Sequence, residues 1–148
     1  MRQKPSDEID TIAYAVSFLE AAKVLAPQMM GDNHTLIVPF YALIGFSLEN
    51  GLKALLEHGK VEPRKKWFHS HDLSALRNLV EEELGIELRE ESAQFIDHLS
   101  TPHLEHHFRY PQKADRVELN KPPAAVDLTE RILTSIFLQI DGPARIED

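Results

Sequence analysis

Apolar residues recur every three or four positions through most of this chain, the period of helices with one face turned inward. The first such run is SDEIDTIAYAVSFLEAAKVLA. Ser6 or Asp7 suits its N-cap, acids fill the first turn, and Ile9, Ile12, Ala13, Val16, Leu19 and Ala22 make the predicted apolar face. Pro27 and the loop residues Gly31-Asp32-Asn33 close it. The second run, PFYALIGFSLENGLKALLEHG, opens on Pro39, whose missing N–H is harmless in a first turn, and closes on Gly59, read as a left-handed stop. Its first half is apolar almost all round, which predicts the central and most buried helix. Gly45 and Gly51 stand in its interior, where each costs about 1 kcal/mol relative to Ala, and this predicts a neighbour packed close against them.

A third helix is predicted in HDLSALRNLVEEELG, capped by Ser70 or Asp72, with Leu73, Leu76, Leu79, Val80 and Leu84 inward and Gly85 as its stop. A fourth begins near Arg89, turns Phe95, Ile96 and Leu99 inward, and breaks or kinks at Pro102. Residues 109–124 are polar and hold three prolines, which predicts an irregular loop. Asp127 then caps a last helix, LTERILTSIFLQI, ended by Gly142-Pro143. No period-2 strand, internal repeat or low-complexity tract interrupts this order. The expected architecture is all-α: an antiparallel, up-and-down bundle of four to five helices, one domain over residues 1–148 with a core of about 7–142.

Composition narrows the function classes. An apolar share of 43% and a charged share of 27% are those of a folded globular domain. The chain has no cysteine, which excludes a disulfide framework and any thiolate nucleophile or metal ligand. Apolar runs such as 35–46 are too short and too interrupted to span a bilayer, and MRQKPSDEID has no apolar leader stretch, so a cytoplasmic protein is expected. The net charge of −8 argues against a surface coated for phosphate binding. The charge is uneven, however. Lys60, Arg64, Lys65 and Lys66 against Glu62 leave +3 between residues 58 and 71, and Arg109, Lys113, Arg116 and Lys121 against Asp115 and Glu118 leave +2 between 109 and 123. Two basic segments on an acidic body point to a defined anion site.

The denser of the two is RKKWFHSHDL, residues 64–73. Arg64, Lys65 and Lys66 could hold phosphates while Trp67 or Phe68 stacks on a base. His69 or His71 could move a proton from a ribose 2′-OH, with Arg64 stabilising the developing charge by bidentate contact. The competing reading makes Trp67 and Phe68 anchors of the loop, leaves the cations solvated, and has the His71 ring bond a backbone group or Glu49. Glu49 and Lys53, four apart, read as a helical ion pair that sets register or supports the histidines. A second cluster, His103, His106 and His107 around Leu104 and Glu105, could join His69, His71 and Asp72 around zinc or iron. Neither H-E-x-x-H nor E-x-x-H occurs, so no metal and no cofactor is expected. Arg109 and Tyr110 could close over a ligand from the far side, or pair with an acid and pack. The phosphate loops G-x-x-x-x-G-K-[ST] and G-x-G-x-x-G and the nucleophile motif G-x-S-x-G are all absent.

Three of these segments together resemble the HEPN (higher eukaryotes and prokaryotes nucleotide-binding) family. They are Leu48, Glu49, Leu52, Lys53, Ala54, Leu55 and Leu56; His71-Asp72-Leu73; and Arg109-Tyr110-Pro111. The resemblance covers roughly Ile9 to Asp141. It implies a helical bundle, commonly a homodimer, that binds RNA or a nucleotide, often in defence or toxin–antitoxin systems beside a nucleotidyltransferase or antitoxin partner. Many members are metal-independent ribonucleases with an R-x(4–6)-H motif, a spacing that Arg64 makes with both His69 and His71. In those members the motif stands near the final helix, whereas no histidine follows Arg109 here. The resemblance thus implies nucleic-acid or nucleotide contact through Arg64, Lys65, Lys66, Trp67, His71, Arg109 and Tyr110, and leaves open a ribonuclease or a non-catalytic partner-binding bundle.

Overall fold

A computed structural model of the chain describes residues 7–29, 35–62, 67, 70–104 and 121–146, of which 7–10, 104 and 142–146 are described as backbone only. The protein is an all-α bundle. Its described elements are α1 (Asp7–Leu25), a 3-10 turn (Ala26–Met29), α2 (Ile37–His58), α3 (Leu73–Leu84), α4 (Glu90–Leu104) and α5 (Pro122–Ile146). None of these helices is long and apolar enough to cross a membrane.

Helix α2 is the axis. Twelve of its 22 residues are buried, among them Phe40, Ile44, Leu48, Leu52 and Leu55, and it packs on α1, α3, α4 and α5. Burying a residue such as Leu48 or Leu52 contributes about 1.5–3 kcal/mol, which is why an apolar perimeter draws three or more neighbours around one helix. Ser47 donates to the Ala15 carbonyl at 2.7 Å, and Thr11 donates to Glu57 at 2.9 Å, so α1 and α2 run antiparallel. Arg77 on Asp97 and the Ser74 amide on Ser100 make α3 and α4 antiparallel in the same way.

The inward face of α1 is Ile12, Ala15, Leu19 and Ala22; Ala13 and Val16, expected in it, face outward, Val16 with 41% of its surface exposed. Because α1 also carries apolar residues off this face, Tyr14, Val16 and Val24 among them, more than one face satisfies a three-to-four spacing, and contact with α2 selects between them. Glycines explain the close approaches. A Cβ at Gly51 would fall 2.7 Å from a Leu133 methyl of α5, and one at Gly59 would fall 2.2 Å from a Leu84 methyl of α3. Gly59 therefore serves the packing of α2 on α3 and is not a left-handed stop: its φ is −76°, and the positive φ belongs to Lys60 at 57°. Gly85 does take the left-handed conformation, φ 66°, at the end of α3.

Two boundaries at the far end differ from expectation. Helix α4 continues through Pro102 to Leu104, with Pro102 itself buried. Helix α5 begins at Pro122, not after Asp127, because paired prolines at a helix start give up only N–H groups that have no intrahelical partner. Asp127 lies inside the helix and pairs with Arg131 at 3.0 Å. The helix also extends past Gly142-Pro143. Of the loop expected at 109–124, residues 109–120 lie outside the described residues.

Candidate functional site

The site is assembled around one buried carboxylate. Glu49 stands mid-way along α2 on the side that meets α3 and α4, and its side chain is 6% exposed. Lys53, one turn on, donates to Oε2 at 2.9 Å. This is the four-residue pairing read from the sequence, now in a setting shielded from solvent. Oε1 faces two rings. His71 Nδ1, from the residue preceding the N-cap of α3, lies at 3.0 Å, and His103 Nε2, from the last turn of α4, lies at 2.8 Å. A carboxylate facing an aliphatic core would be costly, and three donors satisfy it. Burial by itself would raise the Glu49 carboxyl, but hydrogen bonds from His103, Lys53 and His71, with the Lys53 charge, outweigh it and hold the group down at about 2.

The rings differ in surroundings. His103 is buried, with Phe46 edge-on at 5.2 Å, and it lies against the bare Cα of Gly45. His71 is 52% exposed. Since an ionised carboxylate only accepts, the nitrogens facing it carry the hydrogens: Nδ1–H in His71 and Nε2–H in His103. With a neutral ring, His71 then presents its second nitrogen, Nε2, as a lone pair.

Local hydrogen bonds hold His71 in place. Asp72 caps α3 by accepting from the Ala75 amide at 3.0 Å and also accepts from the Ser100 hydroxyl of α4 at 3.0 Å, while its own amide donates to Ser70. Asp72→Ala should therefore lower stability by about 1–2 kcal/mol, the upper part of the range for a lost N-cap, since a hydroxyl of α4 loses its acceptor as well. An unfolding free energy, read from urea titration, that falls by less than about 0.2 kcal/mol would show that the cap contributes nothing.

The structure brings together His71, Glu49, Lys53 and Asp72 of the residues singled out in the sequence. Trp67 is 3% exposed, with Nε1–H donated to the Glu62 carbonyl at 3.0 Å, and Ser70 N–H bonds the Trp67 carbonyl. The ring thus packs in the core and ties the loop to Glu62, the anchoring role of one of the two readings. The residues that bracket 63–66 are tied to each other by that indole bond. Arg64, Lys65, Lys66, Phe68, His69, His106, His107, Arg109 and Tyr110 lie outside the described residues. Of the metal alternative on His103, His106 and His107, His103 is turned inward onto Glu49, and no group of three ligating side chains suited to a metal occurs among the described residues. The part His103 plays was missed in the sequence; the one hint was Gly45, whose predicted close neighbour it is.

A cavity of about 500 Å³ lies elsewhere, between the start of α4 and α5, with Leu55, Ile132 and Ile136 at its floor and Arg89 and Arg131 on its rim. It contains none of the carboxylate's partners. No family model, curated protein or solved structure matches the chain.

Proposed function

We propose that the chain is a HEPN-like domain that binds RNA or a nucleotide where the connection between α2 and α3 meets α4. One observation carries this reading: Glu49 of the Leu48–Leu56 motif and His71 of the His71-Asp72-Leu73 motif, separated in the chain, meet at a buried carboxylate that leaves one imidazole half-exposed. The net +3 of residues 58–71, on a body otherwise acidic, supplies the attraction for an anion in the segment of sequence that leads to His71. A homodimer, a nucleotidyltransferase or antitoxin partner, and a place in a defence or toxin–antitoxin system belong to this reading.

Fluorescence anisotropy with a labelled single-stranded oligoribonucleotide, at rising salt, tests it. Arg64→Ala and Lys66→Ala should each weaken binding and reduce the slope of log affinity on log salt by about 0.7, the value for one phosphate contact on a single strand. Affinity and slope unchanged in both variants would overturn the proposal.

A second reading, a metal-independent ribonuclease using Arg64 with His69 or His71, is favoured at His71 by the carboxylate behind its ring, because such a partner orients a general base. RNA cleavage in the presence of a chelator should then disappear in His71→Ala. A non-catalytic partner-binding bundle would instead bind a protein and no oligonucleotide at low salt.

A further inference from the structure

His103 has no part in the function proposed above, yet it makes the shortest contact to Glu49, at 2.8 Å. That carboxylate has three side-chain torsions and so needs more than one anchor to hold a single orientation. Lys53 reaches it from the same helix, one turn away, and moves with it. His103 reaches it from α4 and is itself immobilised on two sides. Phe46 stands edge-on at 5.2 Å and 79°, and the ring fills the space where a side chain at residue 45 would begin, with Nδ1 2.3 Å from the ideal Cβ position. The line of contact runs from the Gly45–Phe46 surface to His103, through Oε1 of Glu49, to His71 at the exposed end.

We infer that His103 is a positioning residue for His71: by donating to the shared Oε1 of Glu49 it sets the carboxylate so that His71 is held as the Nδ1–H tautomer, with Nε2 outward as a proton acceptor. Free histidine prefers the opposite tautomer, so the arrangement has to be imposed by its surroundings. Nε2 is then the atom available to a hydroxyl or ammonium group of a bound ligand. The use of that acceptor rests on the functional reading given above; the tautomer itself does not.

Nitrogen-15 NMR of the histidine side chains at about pH 8, where an ordinary imidazole is neutral, reads the tautomer directly and needs no ligand. In the unaltered protein His71 should be predominantly Nδ1–H. His103→Phe keeps an aromatic ring beside Phe46, a somewhat larger one, but removes the donor, and the ratio of Nδ1–H to Nε2–H at His71 should fall about tenfold, the effect of the His71 ring losing its own hydrogen bond to a charged acceptor that is no longer held in place. His103→Gln, whose amide reaches Oε1, should restore it while the helical circular dichroism stays constant. If His103→Phe does not fold, His103→Asn, too short to reach Oε1, takes its place under the same criterion. Predominant Nε2–H in the unaltered protein overturns the inference, as does an Nδ1–H ratio unaffected by loss of the donor in a folded variant. Because the oligoribonucleotide titration reads binding and this experiment reads a ring proton, failure of one is distinguishable from failure of the other.

Discussion

Replacing Glu49 with Ala should destabilise the protein by about 3–5 kcal/mol, the range seen when one partner of a buried ionic cluster is removed. Three donors lose their acceptor together. Lys53 keeps only 12% of its side chain in contact with solvent and His103 only 4%, so neither regains in water what it loses in the protein. A urea midpoint shift worth less than about 1 kcal/mol would show that the cluster is better hydrated than its burial implies. The same carboxyl has a pH signature. Its folded pKa, about 2, lies below the ordinary value of 4.5, so its contribution is present above pH 4.5 and is lost as pH falls through the folded pKa. That contribution is about 3 kcal/mol at roughly 1.4 kcal/mol per unit. Glu49→Gln lacks the titrating group, so the stability gap between the two proteins should narrow steadily below pH 4.5. A gap independent of pH between 5 and 2 would contradict the assignment.

Gly45→Val should cost about 1–3 kcal/mol through overpacking, against a helix-propensity gain of less than 1 kcal/mol over glycine. An ideal Cβ at residue 45 falls 2.3 Å from His103 Nδ1 and 2.8 Å from Cε1, separations that require the ring to move. It has little freedom to do so, since its opposite nitrogen is bonded to Glu49 and Phe46 stands edge-on to it. The valine methyls would therefore drive His103 off Oε1, so the variant should also shift the tautomer of His71. His103→Ala in the same chain makes room for the valine and should recover part of the loss, giving a favourable coupling between the two sites in a double-mutant cycle. Additive losses would mean that the two residues do not touch.

Both predictions turn on contacts that local sequence could only half announce. The pairing of Glu49 with Lys53, the capping of α3 by Asp72 and the left-handed Gly85 were legible because each is decided within four residues. The crowding at Gly45 and Gly51 was legible as crowding, since a glycine inside a strongly apolar helix is otherwise a liability, but not the identity of the neighbours, His103 and Leu133. Elsewhere a local signal has two explanations, and packing decides between them. Gly59 looked like a helix stop and is a contact surface for Leu84; Pro122-Pro123 looked like loop and begins α5.

The chain by itself determined that this protein is helical, roughly where its helices lie, and which of them is central. Apolar period and capping residues act over a turn or two of backbone, and they are written in consecutive residues. Only the tertiary structure decided which face of α1 turns inward, that Trp67 is an anchor, and that His71 and His103 share one oxygen of Glu49. Glu49 and His103 are 54 residues apart, a separation no local period encodes. Their meeting follows from how α4 docks on α2, where the only stable place for a buried carboxylate is beside groups that can donate to it.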